Sequence, residues 1–332
     1  MHSDRKPARR KKRSVMDSRT PAIRLWWRGL LCGGLWLLCS LAHADKLLVL
    51  YPEIREPYLQ VFLNILDGVR NANGVDDVNT LVLTQDDKTE RLQAWLSRHP
   101  ADGIISLGKR SLNLVTSVPG RPATVVGAVV MEPEGAPLPG ISLVPDPVTV
   151  LKRIHTFLPR VRRVWAVYRP SVAQWLITRA GPAAAADNLT LLARPAADAR
   201  QMALLYREIL NKMNPETDAL WIAVDGASPD RSVLQNILEE SWRRRLWVFS
   251  GNLSDMKKGA LFSFYPDNIA MGADLVALLK AVRNGKAGDS SVMPVSSLRT
   301  AVNLRTADHL NLNFGKEQRQ EFNLMYPPPL DR

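Results

Sequence analysis

The sequence predicts an α/β protein made of two doubly wound parallel-sheet lobes joined by a hinge. Three observations carry the prediction. From residue 45 onward, β-rich apolar runs alternate with amphipathic stretches. The runs are nearly continuous in their apolar character, as strands covered on both faces must be. The alternation pauses in a Pro/Gly-rich interval near residue 140 and then restarts. A length of 332 residues suits two lobes of roughly 120–150 residues each.

Residues 1–44 come first and read as a leader. They hold +8 of the formal +12 charge, so the remaining chain is only mildly basic at +4. That balance gives no reason to expect a nucleic-acid partner. The apolar run at 30–41 (LLCGGLWLLCSL) follows Arg24 and Arg28 and precedes Ala42-His43-Ala44. This is the order of a secretory signal peptide, with the mature chain starting at Asp45 and initiation at either Met1 or Met16. Twelve apolar residues are too few to span a bilayer as a helix, which takes about 20. Cys32 and Cys39 both lie in this segment, so the mature chain would have no disulfide, thiolate nucleophile or cysteine-based zinc site. A periplasmic location is expected.

The first lobe is expected over 45–143 with a returning segment at 264–289. Its strands are read at 46–51, 78–84, 103–107 and 123–130, and its helices at 58–72, 88–98 and 109–117. In the first helix Val61, Ile65, Leu66 and Val69 recur at helical spacing. The interval 132–147 (EPEGAPLPGISLVPDP) reads as a linker or crossover. The second lobe is expected over 144–263 plus 290–332. It has helix 148–158, strand 163–168, helix 171–180, strand 189–193 and helix 198–213. Strand 219–224, helix 229–244 and strands 246–250 and 260–264 follow. Helix 268–283 is amphipathic, ends at Asn284-Gly285, and is expected to return to the first lobe.

Motif searches return no chemistry. Gly103 to Lys109 fits a phosphate-binding loop as far as its lysine, but Arg110 stands where magnesium needs Ser or Thr. No G-x-G-x-x-G follows the first strand, which argues against a dinucleotide. His99, His155 and His309 have no second ligand at metal spacing, and Asp76-Asp77 and Asp86-Asp87 fall at turns, where Asp is common. Arg243-Arg244-Arg245 closes a helix, where the dipole favours cations. The expectation is a non-enzyme without cofactor or metal.

In open α/β sheets, ligands bind beyond the carboxyl ends of the strands. That rule nominates Tyr51, Glu53, Lys109 and Ser111 in the first lobe, and Tyr168, Asp225, Ser228 and Asn252 in the second. Residues 103–170 carry a strand ending in Gly108, a proline-led strand, Gly140-Ile-Ser and Leu158-Pro-Arg-Val-Arg-Arg-Val-Trp-Ala-Val-Tyr. Residues 259–314 add an aromatic-rich strand, a helix ending in Asn284-Gly-Lys, and Val302-Asn-Leu-Arg-Thr-Ala307. On these stretches the chain resembles the substrate-binding family of ABC transporters that includes aromatic amino-acid receptors. It departs from that family at Lys109, at Met131-Glu132-Pro133 and at Asp225–Ser228. The resemblance implies a type I periplasmic binding protein, a monomer that closes on a small solute and meets an ABC permease or a sensory receptor. Lys109 at a helix start points to a carboxylate or another anion.

Overall fold

Continuous apolar runs become strands buried on both faces, and the amphipathic stretches become the helices that bury them. The computed structural model describes residues 45–72, 75–223, 229–288 and 291–328. The expected signal segment lies outside them. The first sheet contains β1 (Asp45–Pro52), β2 (Val75–Leu83), β3 (Gly103–Leu107), β4 (Thr124–Val129), β5 (Gly140–Pro145) and β11 (Val292–Val295). Their spatial order is β11-β5-β4-β3-β1-β2, and every pairing is parallel. Helices α1 (Leu59–Arg70), α2 (Thr89–Arg98) and α3 (Gly108–Thr116) connect the early strands. Alternation along β1 sends Leu47, Val49 and Tyr51 into one core and Leu48 and Leu50 into the other.

Two sequence expectations are corrected here. The supposed linker holds β5, an internal strand of the first sheet. Its apolar core, Ile141 to Val144, is short and framed by Pro and Gly, so it resembles punctuation. Yet Gly140 is needed, because a Cβ there would lie 2.6 Å from the Val126 carbonyl oxygen. The segment from 290 was assigned to the second lobe, but β11 pairs with β5 on the edge of the first sheet. An edge strand tolerates Pro294, which cannot donate to a ladder.

The second sheet has the order β13-β12-β10-β9-β8-β6-β7. Its members are β6 (Arg163–Tyr168), β7 (Thr190–Pro195), β8 (Asp218–Ile222), β9 (Trp247–Ser250), β10 (Phe262–Pro266), β12 (Leu298–Asn303) and β13 (Leu324–Tyr326). All pairings are parallel except β10 with β12. The helices between them are α4 (Pro147–Phe157), α5 (Pro170–Ala186), α6 (Ala199–Lys212), α7 (Arg231–Arg244) and the short α8 (Leu253–Lys258). One face packs Val167, Leu220, Ile222 and Val248 beneath Met202, Leu205, Leu234 and Ile237 of α6 and α7. After β12 come α10 (Leu304–His309) and α11 (Lys316–Gln320). Sequence periodicity missed these short elements, as it missed β12 and β13.

Helix α9 (Asn268–Arg283) follows β10 of the second sheet but packs on α1 and on β3 and β4 of the first. The approach to α1 is close enough to require glycine on both helices. A Cβ on Gly68 would lie 1.9 Å from the Ile269 carbonyl oxygen, and one on Gly272 would lie 2.2 Å from that of Ile65.

Candidate functional site

The chain passes between the sheets three times: between β5 and α4, between β10 and α9, and between β11 and β12. Two of the passages begin with an aspartate that caps a helix. Asp146 accepts from the Val148 N–H at 3.2 Å, and Asp267 accepts from the N–H groups of Ile269 and Ala270, each at 3.2 Å. Both aspartates also bind the third passage through their backbone, Asp146 N–H to the Val295 carbonyl at 2.8 Å and Asp267 N–H to that of Ser297 at 2.9 Å. The second lobe grips them with arginines. Arg179 of α5 holds Asp146 in a fork, Nε to Oδ1 at 2.8 Å and Nη2 to Oδ2 at 3.1 Å. Arg299 Nε of β12 lies 3.2 Å from Asp267 Oδ2. Sequence reasoning passed over these aspartates, although Asp146-Pro147 before an apolar run is a legible helix start.

The carboxyl ends of the strands carry the nominated side chains. Tyr51 is the last residue but one of β1, buried and stacked on Phe62 with ring centroids 6.1 Å apart. Glu53 is exposed just beyond, where its N–H bonds the Leu83 carbonyl at 2.8 Å. Gly108 joins β3 to α3 at a φ of +83°, a left-handed turn that favours a residue without a side chain. Lys109 and Ser111 sit in the first turn of α3 but diverge, since residues two apart on a helix are about 200° apart. Lys109 is exposed and lines an open pocket of about 500 Å³ with Asp87, Thr89, Arg110 and Asn113. Ser111 points inward, fully buried, and its hydroxyl has no partner, nor has that of Ser106 in the preceding strand β3. Asp87 in that pocket is half-buried, which works to raise its pKa, but bonds from Arg91 and the Thr84 N–H outweigh desolvation and hold it below the usual carboxylate value.

In the second lobe Tyr168 ends β6, buried, and donates its hydroxyl to Gln174 Oε1 at 3.1 Å. Asn252 is exposed but occupied locally: its side chain caps α8 through the Ser254 N–H at 3.0 Å. Asp225 and Ser228 lie outside the described residues. Beside the crossings, Val144 and Pro145 meet Leu176, Trp221, Ser250 and Gly251 across a crevice too tight to admit a water molecule. Among the described residues no three His, Cys, Asp or Glu side chains converge to hold a metal. No described helix is long and apolar enough to cross a membrane.

Two doubly wound lobes joined by three crossings, with strand ends turned toward the junction, make the fold that of a type I periplasmic binding protein. Solved structures agree with it at low identity. A ligand-free, open substrate-binding protein with adhesive properties from Clostridium difficile is 12% identical, with a TM-score of 0.57 over 84% of this chain and 98% of that one. An ABC domain in complex with L-Trp from Streptococcus pneumonia is 15% identical, with a TM-score of 0.51 over 85% and 99%. A mutant XylFII–LytSN complex is 18% identical, with a TM-score of 0.51 over 77% and 96%. No family model and no curated protein sequence matches the chain.

Proposed function

We propose that this protein is the solute-binding component of an ABC-type transport system, exported to the periplasm and closing its two lobes on an amino acid or another small carboxylate. The observation that carries the reading is the junction. Three short crossings bound to one another at Asp146 and Asp267 leave the lobes a common hinge, and the loops able to hold a solute lie beyond it. The solute stabilises the closed form only by its greater affinity for that form. Lys109 supplies a cation for the carboxylate, Tyr51 and Tyr168 supply aromatic surface, and Glu53 or Asp225 takes an amine. Ser111, Ser228 and Asn252 offer polar contacts from their own loops. The L-Trp complex among the fold neighbours supports the amino-acid class.

A thermal-shift screen against amino acids, organic acids, sugars and nucleosides tests the proposal. At 100 times its Kd a true solute adds about 2.7 kcal/mol of stability. A carboxylate-bearing solute should raise the Tm by several degrees, and a flat response across all four classes would reject the reading. A second reading, a sensor that docks to a signalling receptor, is favoured by one neighbour, XylFII, having been solved in complex with LytSN. Transport reconstituted with a permease separates the two.

A further inference from the structure

The charge that follows residue 44 is divided unevenly between the lobes. Residues 146–267 and 297–332 hold 22 Lys and Arg against 16 Asp and Glu, a net of +6, whereas 45–145 and 268–296 hold 12 against 14, a net of −2. Within the second lobe the topology gathers cations on one edge. Strands β6, β8, β9 and β10 are parallel, so the loops that enter them share the amino edge of the sheet, opposite the strand-end loops nominated for a solute. Arg160 and Arg162 precede β6, Arg243 and Arg245 precede β9, and Lys257 and Lys258 precede β10. All six are exposed. In the order β10-β9-β8-β6 they form a row about 14 Å long, three strand spacings. The Arg160 guanidinium reaches over the ring of Trp247, the first residue of β9, at 5.7 Å from its centroid, which brings the two ends of the row together.

The carboxylates of this edge only partly cancel the row. Asp218 is buried and held by Arg163 and Trp165, and Asp255 is buried beneath its bond from the Ser250 hydroxyl at 2.7 Å, with Lys258 Nζ 3.8 Å away. Glu240 and Asp187 are half-buried, and Glu240 is taken by Arg243. Glu216 and Asp308 are exposed. Strand β12 runs antiparallel to β10, so α10 behind it comes to the same edge and adds the exposed Arg305. It also brings His309, which fixes an aromatic ring among the cations. Trp242, in the last turn of α7, is 46% exposed and lies flat on His309, with ring centroids 3.8 Å apart at an interplanar angle of 5°. The His309 Nε2–H donates to the Trp242 carbonyl at 2.8 Å.

We infer that this edge is a docking surface for an anionic phospholipid bilayer. Its cations come from separate loops and are spread along a sheet edge, which suits a surface of many phosphates with no fixed register. An indole with one face on the protein and the rest exposed is the side chain that settles at headgroup level, its apolar body inward and its N–H toward water. A second copy does not fit, because an isologous contact would set the row against itself, cation on cation. Docking by this edge leaves the strand-end loops of both lobes clear of the bilayer.

Ala44–Arg332 forms one compact unit, so the test uses the chain from Asp45, without the cationic leader that would bind lipid by itself. Cosedimentation is measured with vesicles of phosphatidylglycerol and phosphatidylcholine in equal parts, and with vesicles of phosphatidylcholine alone. The expected result is binding to the first and not the second, weakening as salt is added. Arg245→Gln and Lys257→Gln should each weaken it about fivefold, the worth of one cation near an anionic surface, with the Tm unchanged because both side chains are exposed. Lys286→Gln, exposed in the first lobe, should leave it as it was. Trp242→Ala should weaken it several-fold. A chain that ignores the anionic vesicles overturns the inference. So does an equal loss in all three charge variants, which would reflect net charge and no particular edge. Retention on heparin without binding to vesicles overturns it as well, and would make a soluble polyanion the partner. The edge lies apart from the proposed solute site, so none of these outcomes bears on the solute screen.

Discussion

Asp218 opens β8 with its side chain fully buried, and its carboxylate is surrounded by donors. Arg163 forks onto it at 2.7 and 2.9 Å, Trp165 Nε1 donates at 2.9 Å, and the Asn214 N–H at 3.1 Å. Burial works to raise its pKa, but these bonds outweigh burial and hold it below the usual carboxylate value. A depressed folded-state pKa gives stability that is complete above the unfolded value of about 3.9 and is lost as pH falls through the folded value. Asp218→Asn should therefore lower stability at neutral pH by about 1–3 kcal/mol, the cost of leaving a buried group imperfectly paired. It should also flatten the acid limb of the stability profile, as urea melts between pH 2 and pH 6 would record. At the proposed site, Lys109→Ala and Asp225→Ala should each weaken an identified solute by about 1–3 kcal/mol in titration calorimetry. Unchanged affinity in both would reject the site and leave the fold intact. The strand-end rule nominates loops and does not say where their side chains point. Lys109 and Ser111 are two letters apart in sequence and face opposite sides of α3. The Asn252 amide, legible as a loop side chain, is engaged as a helix cap.

Helices α1 and α9, about two hundred residues apart in sequence, touch through backbone at Gly68 and Gly272. Gly272→Ala has no flexible side chain to displace, only the Ile65 carbonyl and the α1 backbone. It should cost at least the ~1–3 kcal/mol typical of overpacking. Gly181→Ala, where nothing lies within 4 Å of the added carbon, serves as the control. Thermal melts showing equal Tm values for the two variants would refute this account of the contact. Long elements with strong periods were legible from the sequence. The expected helix at 58–72 is observed at Leu59–Arg70, with Ile65, Leu66 and Val69 buried as its spacing required, and Phe62 in place of the half-buried Val61. Short elements were not. Strand β5 is hidden among prolines, and β11, β12 and β13 have only three to six residues each, too few to establish a period.

For the whole molecule, the proposed closure moves the lobes as bodies about the junction at Asp146 and Asp267. Saturating solute should reduce the radius of gyration measured by small-angle scattering; an unchanged value would argue against closure. The same junction has a consequence for how the chain is assembled. The edge strand and one covering helix of the first lobe are the stretches Val292–Val295 and Asn268–Arg283, made only after five of the seven strands of the second sheet. Synthesis from the amino end thus delivers a first lobe with bare apolar flanks on α1, β3 and β4, and it stays so until the helix Asn268–Arg283 has emerged. The two halves cannot mature one after the other as beads on a string do. They reach their final form together, and a ribosome that stops early leaves both unfinished.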